Sequence, residues 1–332
     1  MQGNNWIVHT RGDPLGATRR LLRHVWINAA LQGMILPVYQ TGKLQAAPGL
    51  VNQPLELASA DPYVPFVPMN TARLISQMVT QEPGSRFGAV LRSCEVRAIS
   101  CVAKRDHLEL DNWMVISVDC LASFPVEEYE WRVDRAGRID RLTREVLRFA
   151  RQGGIAPYRY RRACQMCISP IAQDADLSIG ILGLPIKDLI LVTTRDEAIA
   201  ERLCLDEITD GPAPLSVLEQ RQQLTDRLCD LHREVRTAML AALEEELPSA
   251  PQEMLAHLKK CAPCQACLEV CPIYAGELSA SVNGYLALEE EARPWLAACV
   301  FCGMCEQACP KGLPLTAIHS RISLDMPQSA GQ

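Results

Sequence analysis

Residues 261–272 read CAPCQACLEVCP and residues 299–310 read CVFCGMCEQACP. Both follow C-x2-C-x2-C-x3-C-P: Cys261, Cys264, Cys267 and Cys271 before Pro272, then Cys299, Cys302, Cys305 and Cys309 before Pro310. That spacing is the bacterial-type run for cubane iron–sulfur (4Fe-4S) clusters. Three thiolates two residues apart wrap one corner of a cube. The fourth lies too far along to close on the same cube, and in chains with two runs it ligates the other cluster. The expected sets are therefore Cys261, Cys264, Cys267 with Cys309, and Cys299, Cys302, Cys305 with Cys271. Pro272 and Pro310 have a fixed φ and no N–H, so they turn the chain away after the last ligand. Gly303 lets backbone come close to sulfur, where the first run has Gln265. Zinc favours four ligands in two separated pairs, which two quadruplets ending in Cys-Pro fit poorly. Two clusters side by side make a path for single electrons.

Between the runs, residues 273–298 read IYAGELSASVNGYLALEEEARPWLAA. Ala, Leu and Glu dominate from Tyr285 onward, which favours helix, and strand signals are weak. Residues 255–320 thus resemble the helical ferredoxins of heterodisulfide reductase C-type subunits and of the succinate dehydrogenase iron–sulfur subunit. The small β-rich bacterial ferredoxin is a poorer match. The resemblance implies a relay and says little about substrate. Lys259, Lys260 and Lys311 flank the ligand loops and should raise the nearby potentials.

At 332 residues, 48% hydrophobic and 22% charged, the composition is that of a globular chain with about two domains. A net charge of −6 argues against nucleic-acid binding. The start, MQGNNWIVHTRGDPLG, lacks the apolar stretch of a secretory signal. The longest apolar candidates for a membrane span are Leu21–Tyr39, broken by Arg23 and His24, and Ala175–Thr194, broken by Pro185, Lys187 and Asp188. Fifteen cysteines with cluster spacing point to a reducing cytoplasm, with any membrane association made through a partner, and not to a disulfide scaffold.

Upstream, helix-like and strand-like segments alternate. Thr18–Leu31, Thr71–Val79, Glu95–Lys104 and Asp196–Leu205 read as helices. Gly33–Tyr39, Phe87–Arg92, Trp113–Val118, Leu177–Leu184 and Leu189–Thr193 read as strands. The expected fold class is an α/β N-terminal domain (1–205) followed by an all-α helical ferredoxin domain (253–332). A helical linker (206–252) joins them, charged and periodic over 216–247 and closed by Pro248–Pro251.

The first zone holds a second group of cysteines. Cys94 follows the strand Phe87–Arg92, Cys120 follows Trp113–Val118, and Cys164 and Cys167 form a C-x2-C. Strand C-termini in α/β folds converge on one edge, where ligands bind. A third cluster, a zinc site, or plain burial of Cys94 and Cys120 all satisfy the spacing.

LRSCEVRAI, ISVDC, and a C-x2-C followed by ADLSIG (Ala175–Gly180) and the strand LILVTT stand here in order. In this the zone resembles the β-subunit family of deazaflavin-dependent hydrogenases and formate dehydrogenases (the FrhB/FdhB family). The resemblance implies that Cys94, Cys120, Cys164 and Cys167 hold a 4Fe-4S cluster beside a flavin. Cys101, Cys204 and Cys229 are left over and read as core thiols. The family's Ser-Gly-Gly helix start is replaced by DPLGATRR (13–20); Gly16 and Thr18 keep part of it as candidate FAD contacts, and the glycine pair is gone. Arg19 and Arg20 suit a phosphate at a helix N-terminus or a solvated face. No G-x-G-x-x-G occurs.

No catalytic acid, base or nucleophile stands out, and none of the six histidines has metal-ligand spacing to another. Glu95 reads as a first-turn acid or as a group orienting the cluster loop. The expected function is an electron-transfer subunit of an oxidoreductase complex. It would relay electrons through three 4Fe-4S clusters between a redox carrier and a partner catalytic subunit of hydrogenase, formate dehydrogenase or heterodisulfide reductase type. A flavoenzyme exchanging hydride with a deazaflavin or nicotinamide carrier, and a non-redox metal-binding assembly protein, are the alternatives.

Overall fold

A computed structural model describes residues 4–39, 45–154, 159–246, 264, 266–273 and 297–325. An apolar run sets its centre: β4 (Phe87–Arg92, FGAVLR) is buried at every position, as a strand covered on both faces must be. It lies between β2 (Gly33–Tyr39) and β5 (Trp113–Val118) and runs parallel to both. β6 (Leu177–Gly180) extends the parallel set. Antiparallel β3 (Ala46–Val51) closes one edge, and β7 (Leu189–Thr194) with β1 (Asn5–His9) closes the other. The seven-stranded order is β1-β7-β6-β5-β4-β2-β3.

Alternation along the strands feeds two cores. Val90 of β4 and Met114, Ile116 and Val118 of β5 enter the first, whereas Phe87, Ala89, Leu91 and Trp113 enter the second. The first core takes α1 (Pro14–Asn28), α4 (Val126–Ala136) and α5 (Ile139–Leu147). The second takes α2 (Ala72–Gln81) and α3 (Ser93–Asp106), together with Leu268, Ile273, Leu315 and Ile318 from the C-terminal part. The cysteine-rich end of the chain is therefore packed on one face of the α/β sheet. It carries α9 (Ala266–Glu269), α10 (Met304–Ala308) and α11 (Leu315–Asp325), with no strand among its described residues.

The expected helices and strands form, with differences at their ends. The strand expected over 177–184 stops at Gly180 because the amides of Ile181 and Leu182 donate to Asp119 Oδ2, at 2.7 and 2.8 Å, and not to a neighbouring strand. The helix expected to Leu205 is α7 (Glu197–Arg202); Cys204 turns left-handed at φ 48°, and His24 Nε2 lies 2.8 and 3.0 Å from the Leu203 and Cys204 carbonyls. The charged, periodic segment forms a single helix, α8 (Leu215–Glu246, 32 residues), about 48 Å long at 1.5 Å per residue. Val217, Leu218 and Leu228 of α8 pack on the first core, and Leu240 and Leu243 in the second. Pro248–Pro251 and most of 273–298 lie outside the described residues. Among the described residues no helix is long and apolar enough to cross a membrane.

Candidate iron–sulfur sites

β2, β4, β5 and β6 share one direction, so their C-terminal ends meet at one edge. Cys94 lies in the first turn of α3, which follows β4 without a loop. Glu95 fixes that junction: its Oε2 accepts from Arg92 N at 3.0 Å, and its Oε1 from Thr71 N and Oγ1 at 3.1 and 2.5 Å. Glu95 is buried, so it positions the cysteine's turn. Cys120 follows β5 and is held by Cys120 N to Pro170 O at 3.0 Å. Cys164 lies in the short helix α6 (Arg162–Gln165), and Cys167 follows within one turn, its N donating to Cys164 O at 3.3 Å. The four sulfur residues line one cavity, together with Arg161, His232, Phe301 and Cys302.

Burial pushes the Cys94 thiol well above its usual range, and the nearby charges of Glu95, Cys120 and Cys302 add to it. Burial likewise pushes Cys120 up to about 11, with Arg92 opposing and Cys164 and Cys167 adding; Cys167 is raised for the same first reason. Buried thiols converging on one cavity resist ionising alone; a bound metal centre supplies the positive charge that makes them thiolates. Basic side chains stand beside them. Arg161, itself buried, reaches Cys164 Sγ with Nη2 at 3.8 Å, and its Nε has no partner. Arg97 holds Ser93 Oγ at 2.7 Å and Val300 O at 3.2 Å. These residues fit a polynuclear cluster carrying net negative charge.

A second cavity is lined by Cys271, Cys299, Cys302 and Cys305. The last cysteine of the first run thus stands among the first three of the second run, the grouping that the cross-run rule expects. Burial raises the Cys302 thiol to about 11 and Cys305 well above its usual range. Of the remaining set, Cys267 is buried and Cys264 exposed. Cys309 packs in the same core as Cys267. Cys261 lies outside the described residues, as do Lys259 and Lys260; Lys311 is exposed. Among the described residues no three His, Cys, Asp or Glu side chains stand close enough to hold a single metal ion. Cys94, Cys120, Cys164 and Cys167 instead surround one space, and Cys271, Cys299, Cys302 and Cys305 another.

Cys101, Cys204 and Cys229, expected as core thiols, are only half-buried; Cys101 Sγ faces Ala298 O at 3.8 Å and Cys229 Sγ donates to Ile168 O at 3.3 Å. Gly16 N donates to Asp13 Oδ1 at 3.0 Å, capping α1 from within the chain. Thr18 is fully buried with its hydroxyl 2.7 Å from Tyr63 OH, and Arg19 Nε donates to Ala60 O at 2.8 Å. The Gly16 amide and the Thr18 hydroxyl, expected to face a flavin, both have partners within the chain.

Four residues bordering the cysteines escape a reading of the sequence. Arg161, three residues before Cys164, and Phe301, directly before Cys302, stand at positions that the cysteine spacing leaves open. His232 Nδ1 lies 2.5 Å from Cys167 O, brought there from mid-α8, and His319 Nδ1 lies 3.6 Å from Cys299 Sγ. Their partners are distant in sequence, and no spacing announces them.

Residues 257–313 match the 4Fe-4S dicluster domain family. Over 97% of its length, and 92% of the relative's, the chain is 21% identical to the F420-dependent formate dehydrogenase subunit beta of Methanocaldococcus jannaschii. The chain resembles F420-dependent formate dehydrogenase beta subunits. The F420-dependent formate dehydrogenase 1 subunit beta of Methanococcus maripaludis is 22% identical over 82% of this chain and 75% of its own. A chain of the F420-reducing [NiFe] hydrogenase complex from Methanosarcina barkeri superposes with a TM-score of 0.50 at 12% identity, over 71% of this chain and 91% of that one, a likeness of fold. The resemblance read from LRSCEVRAI, ISVDC and the C-x2-C block is borne out.

Proposed function

We propose that this chain is the electron-transfer iron–sulfur subunit of an oxidoreductase complex, and that it holds three 4Fe-4S clusters. Cys94, Cys120, Cys164 and Cys167 hold one in the α/β domain. Cys271, Cys299, Cys302 and Cys305 hold the second, and Cys261, Cys264, Cys267 and Cys309 the third, both in the ferredoxin domain. Each cluster supplies reversible one-electron storage when bound. The protein's part is to bury the sulfurs, orient the loops through Glu95 and His232, and set local charge through Arg97 and Arg161. The observation that carries the reading is the meeting of four cysteines from separate segments around one cavity, with Cys302 of the C-terminal runs on its wall. Relatives named as formate dehydrogenase beta subunits support a partner that carries out the two-electron chemistry.

Iron, acid-labile sulfide, zinc and flavin per chain, measured after anaerobic purification, test it. About twelve irons are expected, four per cluster. About eight would remove the α/β cluster, and stoichiometric zinc would turn the site into structural metal. One flavin per chain would add hydride exchange to the relay.

A further inference from the structure

Cys302 and Phe301 line both cavities: the one bounded by Cys94, Cys120, Cys164 and Cys167, and the one bounded by Cys271, Cys299 and Cys305. Their backbone is unusual. Phe301 is left-handed at φ 53°, a conformation that a non-glycine residue holds only where its surroundings impose it. Gly303 follows at φ 72°, and a Cβ there would stand 2.4 Å from the Cβ of Ala163, next to Cys164. The two cysteine loops touch at this point, and glycine is what lets them. Around it, Arg161 Nη1 donates to Gln307 Oε1 at 2.9 Å, Arg162 pairs with Glu306 at 2.9 Å, and Arg97 Nη2 donates to Val300 O at 3.2 Å. Arg236 of α8 lies over the Phe301 ring at 5.6 Å.

On the other side, Cys264 is exposed, as are Pro310, Lys311 and Gly312. Cys302 and Cys305, by contrast, are half-buried and line a cavity with Thr316 and His319 of α11. The inner place is thus marked by the wall it shares with the α/β site, and the outer place by the exposure of Cys264.

Resting on the three-cluster reading, we propose that the relay has a fixed order with Phe301–Cys302–Gly303 as its joint. The α/β site exchanges electrons with the Cys271/Cys299/Cys302/Cys305 site, and only that site exchanges with the Cys264/Cys267/Cys309 site, which faces the partner. Each exchange oxidises one site by one electron and reduces its neighbour by one, with no bond made and no proton moved. The partner that docks beside Cys264 is a one-electron donor or acceptor.

The test uses the full chain, reduced anaerobically and read by paramagnetic resonance. The iron count comes first: about twelve per chain, and about eight in Cys94→Ser, Cys299→Ser and Cys264→Ser, each lacking one cluster. A wrong count sinks the three-cluster reading, independently of the order. With the counts in hand, the signal of the α/β site should show spin–spin broadening that disappears in Cys299→Ser and persists in Cys264→Ser. Broadening that persists in Cys299→Ser but disappears in Cys264→Ser overturns the order. Ala163→Val widens the joint without altering a ligand or a left-handed residue. It should keep twelve irons and weaken the broadening, and unchanged broadening there would remove the joint from the proposal.

Discussion

Arg221→Met is the substitution with the largest effect expected on how α8 is fastened. Arg221 projects from α8 onto Asp119, the residue before Cys120, with side-chain exposures of 11% and 2%. Nη2 donates to Oδ1 at 2.8 Å and Nη1 donates to Oδ2. Removing one member of a buried ion pair costs about 3–5 kcal/mol, because the other charge is left uncompensated. Asp119 keeps the amides of Ile181 and Leu182, which puts the loss at the lower end, about 3 kcal/mol. The assay is urea unfolding of the loaded protein under anaerobic conditions, following helix circular dichroism and the visible cluster band together. Both transitions should move to lower urea without a change of slope. Asp119→Asn/Arg221→Met leaves no buried charge and should be more stable than Arg221→Met alone, a non-additive result for residues in contact. A loss of under about 0.5 kcal/mol for Arg221→Met, the range of an ordinary surface change, would refute the reasoning.

Glu95→Ala removes the acceptor of two backbone amides and the Thr71 hydroxyl in a buried place; the loss should be about 2 kcal/mol in the same unfolding assay, at the upper end for a helix cap. Arg161→Met takes a positive charge from beside Cys164 Sγ, so a redox titration should find the α/β site at a lower midpoint potential, with iron content unchanged. Asp61 is fully buried, and desolvation raises its carboxyl above 3.8 despite the hydrogen bonds from Thr143 and Tyr39. A raised acid binds its proton more tightly in the folded state, so the stability it contributes is complete below pH 3.8 and is lost as pH climbs from there towards the folded value. Asp61→Asn should therefore flatten the fall of unfolding free energy across that window, measured at fixed ionic strength; an unaltered slope would show that Asp61 does not set it.

How far the sequence carries depends on how local each signal is. β2, β4 and β5 are found at the expected residues because a short apolar run between turn signals is enough to define a buried strand. Cys271, Cys299, Cys302 and Cys305, which a spacing rule groups, line one cavity. α5 was legible too: Ile139, Leu142, Thr143, Val146 and Leu147 make a single buried stripe, and no helix was expected there. β1 and β3 are edge strands whose pairing with β7 and β2 is what defines them, so their own residues say little. His232 and Phe301 reach the cavity of Cys94, Cys120, Cys164 and Cys167 from other segments of the chain, and only tertiary packing reveals them; Arg161 stands three residues before Cys164, but its contact with that sulfur follows from no spacing rule.

The shared wall at Phe301 and Cys302 also has a consequence for biogenesis. Residues 301–302 leave the ribosome after Cys94, Cys120, Cys164 and Cys167. On the three-cluster reading, a cavity walled by later residues receives iron and sulfide before that wall arrives, or the C-terminal part swings back to admit them. Delivery that accompanies synthesis, running from the N-terminal quartet outward, is the sequence of events this wall favours.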